Sequence, residues 1–297
     1  MSNQEIAQNQ PWTILKLLDW AASYFQSHHI DSPKATAEIL LAHALDLKRI
    51  DLYLQYDRPL NKAELAAFKK LVLRRTKREP VAYIVGEKEF WSLLLLVSKA
   101  VLIPRPDTER LVEIARDFLS REKHNRPLRI LDLGTGSGAI VLSLAAEHKE
   151  HHFFAGDISP AATVLAKQNA YKNNLDNIHF FAGDWLGALR PTEKPFDMIV
   201  SNPPYIPSDD IHNLQPEISR YEPLTALDAG PDGLVCLRHL IEHAWLYLRP
   251  GGHLILEMGY DQKDQVAQLA DANGTYQDFT VHKDYAGHDR VVSMRRV

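Results

Sequence analysis

From residue 128 to the carboxyl end, short apolar segments alternate with segments whose apolar residues recur at helical spacing. The first kind predicts buried strands and the second amphipathic helices. Such alternation restricts a chain to a largely parallel sheet with helices on both faces. Ligands of such sheets bind beyond the carboxyl ends of the strands. The predicted strands are 128–133, 152–156, 178–182, 197–200, 252–257, 279–282 and 290–294.

The first 80 residues have a different pattern, with helical spacing throughout. Predicted helices cover 11–30, a segment that begins at Pro33, and 62–75, for which Asn61 is the predicted cap. Four cations, Arg74, Arg75, Lys77 and Arg78, close the last helix. They are interpreted either as a solvated helix end or as a contact for an acidic or nucleic-acid partner.

Residues 81–104 change character and predict a β-hairpin linker. Segments 81–85, 89–97 and 101–103 are predicted to be extended, with breaks at Gly86 and at Lys99-Ala100. Three domains follow from this pattern: a helical domain at 1–80, the linker at 81–104 and an α/β domain at 105–297.

Composition excludes several classes of protein. An apolar fraction of 45% and a net charge of -4 exclude global disorder. No apolar run approaches the roughly 20 residues of a membrane helix, and residues 1–10 do not resemble a signal peptide. The single cysteine, Cys236, excludes an internal disulfide and a thiolate metal site. We therefore expect a cytoplasmic protein that has no metal site and does not bind membranes.

Charge is distributed unevenly along the chain. The first 80 residues hold 12 Lys and Arg against 9 Asp and Glu, and the remainder is acidic. A domain that binds DNA directly is usually strongly basic. We therefore expect no direct DNA binding.

The first motif, Asp132-Leu-Gly-Thr-Gly-Ser-Gly138, lies between the first predicted strand and a helix. Glycines let the backbone turn sharply and approach a ligand, and the helix start offers free N–H groups. The spacing also satisfies G-x-G-x-x-A, so a dinucleotide-binding site is an alternative interpretation of this motif. A turn without a ligand is the other interpretation, and three glycines in five residues argue against it. The candidate cofactor-binding residues are Gly134, Thr135, Gly136, Ser137 and Gly138.

Two further candidates follow the second and third predicted strands. Asp157 stands where a carboxylate accepts hydrogen bonds from both hydroxyls of a ribose. This position predicts that a nucleoside binds there, but it does not distinguish one nucleoside from another. The alternative is that Asp157 serves only as the N-terminal residue of the next helix. Asp184 is placed to reach an adenine amino group, and Trp185 to cover the ring or simply to pack in the core.

The fourth motif, Asn202-Pro203-Pro204-Tyr205, follows a strand at its carboxyl end. Two prolines fix a stiff, extended backbone. We expect the carbonyl of Pro203 and the side-chain carbonyl of Asn202 to form a pair of acceptors that suits a planar NH2 group. Tyr205 would stack on the plane behind that group. The alternative is that the prolines merely end the strand.

A planar NH2 group is a poor nucleophile because its lone pair is delocalised. Two acceptors on its hydrogens raise the electron density at nitrogen and aim it at an electrophile. With a sulfonium methyl group in line, the reaction is a direct displacement, in which Asn202 can also contact the cofactor. Hydride transfer has no use for such acceptors. The motifs therefore favour a methyltransferase over a dinucleotide enzyme.

With these motifs the chain resembles the class I S-adenosylmethionine-dependent methyltransferases. More closely, it resembles the bacterial release factor glutamine methyltransferases of the PrmC/HemK type. Asn-Pro-Pro-Tyr also occurs in adenine-N6 DNA methyltransferases, but the likeness to the PrmC/HemK type covers nearly the whole chain. Further stretches that carry it are 78–86, 90–91, 103–109, 221–227, 232–234, 249–252 and 284–290.

The resemblance implies an α/β fold: a Rossmann-like, seven-stranded methyltransferase domain behind a small helical domain and a β-hairpin linker. It implies N5-methylation of the glutamine in the Gly-Gly-Gln motif of peptide chain release factors by a monomeric enzyme that uses S-adenosylmethionine. Leu102 and Ile103 would help wall the pocket, and we expect the helical domain to contact the partner. An adenine-N6 nucleic-acid methyltransferase is the alternative. By this resemblance Asn202, Pro203 and Tyr205 are catalytic, and the same three residues bind the substrate together with Pro204 and Leu102. The glycine loop, Asp157, Asp184, Trp185 and Asn202 would bind the cofactor.

Overall fold

A computed structural model describes residues 11–121, 126–191 and 195–297, and the chain divides into two compact units. One unit contains Met1–Gly86 and Pro216–Tyr221, and the other contains Glu87–Gln215 and Glu222–Val297. The first ten residues of the predicted helical domain lie outside the described residues. The limits of the three predicted domains stay a prediction.

The first unit is helical. Asn61 caps its fourth helix as predicted: the Asn61 side chain accepts from the backbone N–H of Ala63 at 2.9 Å and of Glu64 at 3.0 Å. Phe25 and Phe68 lie in the core of this unit, each with an exposed fraction of at most 1%. The helices are α1 (Ile14–Ser27), α2 (Pro33–Leu45), α3 (Arg49–Leu54), α4 (Lys62–Thr76) and α5 (Val81–Val85), with one turn, α9 (Pro216–Ser219), later in the chain.

The cations at the end of α4 bind acidic side chains of their own unit. Arg75, whose side chain is 6% exposed, and Arg78 both pair with Glu217, at 2.7 and 2.8 Å. Arg74 pairs with Glu79 at 2.7 Å. Arg75 and Arg78 therefore differ from the predicted solvated helix end, because a segment about 140 residues away supplies their carboxylate, whereas Lys77 is exposed as that interpretation expects. A contact with an acidic or nucleic-acid partner stays a prediction.

The expectation that residues 81–85 are extended is wrong, since they form α5. The β-branched residues suggested a strand, but Tyr83 and Ile84 are buried by the helical turn. Gly86, with φ +83°, ends this helix in the left-handed conformation. Residues 101–103 form no strand either.

The second unit begins with a β-hairpin, as predicted, but the expectation that 89–97 is one extended segment is wrong, because the turn falls inside it. Strands β1 (Glu87–Phe90) and β2 (Leu93–Leu96) pair in antiparallel register. The turn lies at Trp91 and Ser92, which have φ of +51° and +61°. Two positive φ angles in a two-residue turn match the twist of the flanking strands.

A seven-stranded sheet forms the centre of the second unit, in the order β5-β4-β3-β6-β7-β9-β8. Five neighbouring strands are parallel, and β9 is antiparallel to both of its neighbours. This confirms the predicted fold class. The strands are β3 (Arg129–Leu133), β4 (His152–Asp157), β5 (Ile178–Ala182), β6 (Phe196–Ser201), β7 (Leu248–Glu257), β8 (Tyr276–Lys283) and β9 (Asp289–Arg296).

Helices cover both faces of this sheet because neighbouring strand residues point to opposite sides. Ile130 packs with one apolar cluster, and Leu131 packs with another. The chain order reverses between β3 and β6, and the carboxyl ends of these two strands therefore border a crevice. The sheet face that bears Ile130 is covered by α6 (Glu109–Arg121), α7 (Ala139–Glu147) and α8 (Pro160–Lys172). The face that bears Leu131 is covered by α10 (Val235–His243) and α11 (Lys263–Asn273).

None of the helices in the described ranges combines the length and the apolar character needed to span a membrane.

Candidate active site

A cavity of about 250 Å³ opens at the carboxyl ends of β3, β4 and β6, where the sheet order reverses. It therefore lies where the strand pattern predicts a ligand site. Of the candidate residues, Gly134, Thr135, Gly136, Ser137, Asp157, Trp185, Asn202, Pro204 and Leu102 line it. Gly138, Asp184, Pro203 and Tyr205 do not belong to the lining, and neither does Ile103, which was expected to help wall the pocket.

The glycine loop is held by strand β4. The backbone N–H groups of Gly134 and Thr135 both donate to the carbonyl of Gly156, at 2.9 and 3.0 Å. Gly136 has φ +56°, and a Cβ there would meet nothing within 4 Å. Gly138 has φ +85°, and its Cβ would lie 2.7 Å from the side chain of Leu142. The loop therefore leaves space at Gly136 and packs against α7 at Gly138.

A buried acid, Asp132, lies beneath this loop. Its Oδ2 accepts a hydrogen bond of 2.7 Å from the hydroxyl of Thr135, and its Oδ1 has no partner among the described residues. Burial raises the pKa of Asp132 to about 7, although the hydrogen bond from Thr135 acts to lower this pKa. Asp132 was not among the candidate residues, although it opens the glycine motif.

Asp157 lies at the end of β4 and faces the loop. Its Oδ2 accepts from the N–H of Gly136 and its Oδ1 from the N–H of Ser159, both at 2.8 Å. Burial raises the pKa of this carboxyl, and the two backbone donors oppose that rise. Since each carboxylate oxygen has two lone pairs, both oxygens retain a free acceptor site.

Trp185 lies against the glycine loop. A Cβ on Gly134 would stand 3.6 Å from its ring, and the ring borders the cavity. The neighbouring Asp184 is exposed and precedes a short 3-10 helix. The structure thus brings Trp185 to the loop and leaves Asp184 outside the lining.

The Asn-Pro-Pro-Tyr segment is fixed by two side-chain contacts. Nδ2 of Asn202 donates to the hydroxyl oxygen of Thr108 at 3.1 Å. The hydroxyl of Tyr205 donates to Oε1 of Glu257 at 3.2 Å. Pro203 and Pro204 are both buried. The segment therefore ends β6 in a rigid turn with the Asn202 side chain at the cavity.

Glu257 is a second buried acid, with an exposed fraction of 1%, at the carboxyl end of β7. Burial raises its pKa to about 7, while the charge of Arg290 and the hydrogen bond from Tyr205 act in the opposite direction, and its Oε2 has no partner among the described residues. The Tyr205 hydroxyl beside it has its pKa raised, by burial and by the carboxylate charge. Thr108 and Glu257 were missed in the sequence, although Thr108 lies within the distinctive stretch 103–109.

A third acid, Glu222, joins two walls of the cavity. Its side chain pairs with Arg105 and accepts from the backbone N–H of Ile103 at 3.4 Å. Burial raises the pKa of Glu222, and the charge of Arg105 opposes the rise. Leu102 and Arg105 line one wall, and the residues after Glu222 line the next. The lining also contains residues that were not candidates, among them Ala100, Val101, Pro104, Pro223, Thr225, Ala226 and Cys236.

One group of potential metal ligands occurs in the part of the chain that the structure describes. His148, Glu150 and His151 place one ligand atom each within 4.8 Å of one another. They lie before the amino end of β4, at the sheet edge opposite to the cavity. The absence of a metal site stays a prediction.

Two family profiles match the chain. The profile described as PrmC N-terminal domain matches residues 16–86, and the profile described as methyltransferase domain matches residues 124–294. A solved structure, human methyltransferase 10 domain containing protein, is 19% identical with a TM-score of 0.51, covering 69% of this chain and 88% of that chain. This structural likeness supports the fold alone.

Curated relatives match over nearly their full length. The release factor glutamine methyltransferase of Geobacter sulfurreducens is 43% identical, over 96% of this chain and 97% of that protein. The protein of the same name from Vibrio cholerae is 44% identical, over 94% and 95%. That from Rhodopirellula baltica is 38% identical, over 98% and 99%. The chain therefore belongs to the release factor glutamine methyltransferase family.

Proposed function

We propose that this protein transfers a methyl group from S-adenosylmethionine to the side-chain nitrogen of the glutamine in the Gly-Gly-Gln motif of peptide chain release factors. The observation that carries this proposal is the position of Asn202, whose amide borders the cavity next to the glycine loop and is held by Thr108. Its relatives are named for this activity.

The residues of the cavity fit the proposed cofactor. The open space at Gly136 admits a ligand close to the backbone, and Asp157 retains acceptor sites for two ribose hydroxyls. Trp185 offers an aromatic face beside the loop. When bound, S-adenosylmethionine supplies an electrophilic methyl carbon on a sulfonium.

The chain's own groups act on the substrate amide. Oδ1 of Asn202 would accept one N–H of the glutamine, and the carbonyl of Pro203 is predicted to accept the other. Two acceptors orient the nitrogen and raise its electron density, which strengthens it as a nucleophile. A carbon–nitrogen bond forms as the carbon–sulfur bond breaks, and the methylated amide gives up one proton to water.

Mass spectrometry of a release factor incubated with the protein and S-adenosylmethionine tests this function. Duplex DNA is offered in a parallel tube. One added methyl group on the Gly-Gly-Gln peptide, abolished by Asn202→Ala, is the expected result. Methylated adenine beside an untouched glutamine would instead support the nucleic-acid alternative. The monomeric state, the cytoplasmic location and the lack of direct DNA binding stay predictions.

A further inference from the structure

Arg290 of β9 has a nearly buried side chain, 11% exposed, and each of its three guanidinium nitrogens reaches a different loop. Nε donates to Oδ2 of Asp284 at 3.2 Å, in the turn between β8 and β9. Nη1 donates to the carbonyl of Met258, directly after β7, at 3.4 Å. Nη2 forms an ion pair with Oδ2 of Asp107 at 3.6 Å. One cation therefore joins the last strand to two loops that lie far away in the sequence.

On one side, Arg290 reaches the turn that holds Asn202. Thr108 follows Asp107 in a 3-10 turn of three residues, and its hydroxyl accepts from Nδ2 of Asn202 at 3.1 Å. Because Asp107 and Thr108 are neighbours in one short turn, a displacement of Asp107 also displaces the Thr108 hydroxyl. The ion pair between Arg290 and Asp107 therefore helps to fix the position of the Asn202 amide.

On the other side, Arg290 reaches the strand end that holds Tyr205. Glu257, the last residue of β7, accepts from the Tyr205 hydroxyl at 3.2 Å, and Met258 follows it directly. Arg290 binds the backbone of Met258 twice. The Met258 carbonyl accepts from the guanidinium at 3.4 Å, and the Met258 N–H donates to the Arg290 carbonyl at 2.9 Å. The same cation therefore lies behind the contacts of both Asn202 and Tyr205.

Asp284 holds the guanidinium in this place. Its side chain is 1% exposed, and its Oδ2 accepts from Nε of Arg290. Its Oδ1 accepts from the backbone N–H groups of Ala286 and His288, at 3.0 and 2.9 Å, and so closes the turn between β8 and β9. A lysine could not take over this role, because an ammonium group is a single point charge that cannot reach three loops at once.

We propose that Arg290 is a positioning residue that holds Asn202 and Tyr205 in place for the substrate amide. Arg290 is not part of the cavity lining, so it acts through the turn of Asp107 and through the end of β7. The kinetic consequence of this role rests on the proposed function. Its effect on the Asn202 amide does not depend on any substrate.

Two single variants and their combination test the route through the turn. Arg290→Lys keeps the charge and loses the planar fork, and we expect it to lower kcat for release factor methylation about tenfold, the value of one hydrogen bond to a charged group. Asp107→Ala should lower kcat by a similar factor. The double variant should lose little more, because both changes break the same link. Full kcat in either single variant would overturn the proposal.

Arg295→Lys is the matched control on the same strand. Arg295 forms an exposed ion pair with Asp278, and its replacement should leave kcat unchanged. The KM for S-adenosylmethionine should stay within about twofold of the wild type in Arg290→Lys, since Asp157 and the glycine loop make no contact with this cation.

The Asn202→Ala background separates positioning from a general loss of structure. If Arg290 acts through the Asn202 amide, Arg290→Lys should lower the remaining transfer by less than about threefold in this background. A merely structural role would lower the transfer about tenfold in both backgrounds, together with the unfolding temperature. That result would overturn the proposal.

NMR of the Asn202 side-chain amide tests the positioning without any substrate. The resonance is assigned by its loss in Asn202→Asp. We expect slow hydrogen exchange at Nδ2 in the wild type and in Arg295→Lys, and exchange at least about fivefold faster in Arg290→Lys and in Asp107→Ala. Equal exchange in all four proteins would overturn the proposal. If the release factor is not methylated at all, the exchange result still decides the role of Arg290, so the two failures remain distinguishable.

Discussion

The side-chain amide of Asn169 binds both backbone groups of Leu96, as a neighbouring strand would. Its Oδ1 accepts from the Leu96 N–H at 2.6 Å, and its Nδ2 donates to the Leu96 carbonyl at 3.0 Å. The same Nδ2 donates to the carbonyl of Ser137 at 2.9 Å. One fully buried side chain on α8 therefore joins the edge of the hairpin to the glycine loop.

Asn169→Ala should lower the free energy of unfolding by about 3 kcal/mol, because it leaves partly buried backbone groups of Leu96 and the buried carbonyl of Ser137 without a partner. Chemical denaturation followed by circular dichroism measures the change. Lys167→Ala, an exposed substitution on the same helix, should change stability by less than about 0.5 kcal/mol. Equal stabilities of the two variants would contradict the bridging role of Asn169.

Asp157→Ala should weaken binding of S-adenosylhomocysteine about 100-fold, since it removes acceptors for the ribose and frees the N–H of Gly136. Isothermal titration calorimetry measures the affinity. The exposed Asp176→Ala, which changes charge equally, is the control and should bind as the wild type does. An affinity of Asp157→Ala within threefold of the wild type would remove Asp157 from the cofactor site.

The candidate site residues show which parts of the site can be predicted from the sequence. The glycine loop and Asn202, which line the cavity, could be selected as candidates because backbone turns and proline stiffness are local properties of a few neighbouring residues. Glu257 was missed because its hydrogen bond with Tyr205 joins residues 52 positions apart, and the strand pattern does not specify such a contact. The only available signal was its place at the carboxyl end of a predicted strand.

Local propensity also failed where tertiary packing decides the conformation. The fold class and the hairpin were predictable from periodicity, but residues 81–85 form a helix despite their β-branched residues. The pairing of Arg75 and Arg78 with Glu217 depends on a segment far along the chain. Such contacts are set by the folded topology, and spacing within one segment carries no information about them.

Asp197→Asn should destabilise the protein by about 3 kcal/mol at pH 7, because the Asp197 carboxylate is buried and bound by arginines. Burial acts to raise its pKa, but hydrogen bonds from Arg126, Arg249 and the Arg129 N–H outweigh burial and hold the pKa below its usual range. This stabilisation is therefore fully present above the unfolded-state pKa of about 4 and is lost as the pH falls through the lower folded value.

Urea denaturation of both proteins between pH 7 and pH 2 measures this dependence on pH. The stability difference between wild type and Asp197→Asn should be constant above about pH 5 and shrink in stronger acid. Asp278→Asn breaks an exposed ion pair with Arg295 and should cost less than about 1 kcal/mol. A difference for Asp197→Asn that does not depend on pH would contradict the assignment.

Cys236 should react slowly with iodoacetamide although it borders the cavity. Burial, together with the charges of Asp184 and Asp228, raises the pKa of its thiol to about 11. At pH 8 alkylation should be roughly 100-fold slower than for a cysteine in an unstructured peptide, and it should still accelerate up to pH 10. Because the chain has one cysteine, intact-mass spectra report this rate directly. A rate equal to that of the peptide would contradict the raised pKa.

Tandem mass spectrometry with trideuteromethyl-labelled S-adenosylmethionine tests the proposed function most directly. Wild-type protein should place one labelled methyl group on the side-chain nitrogen of the glutamine in the Gly-Gly-Gln peptide. Asn202→Ala, with its fold checked by circular dichroism, should transfer at least 100-fold less label, because it removes the acceptor that holds the amide. A label on another residue, or full transfer by Asn202→Ala, would contradict the account of this site.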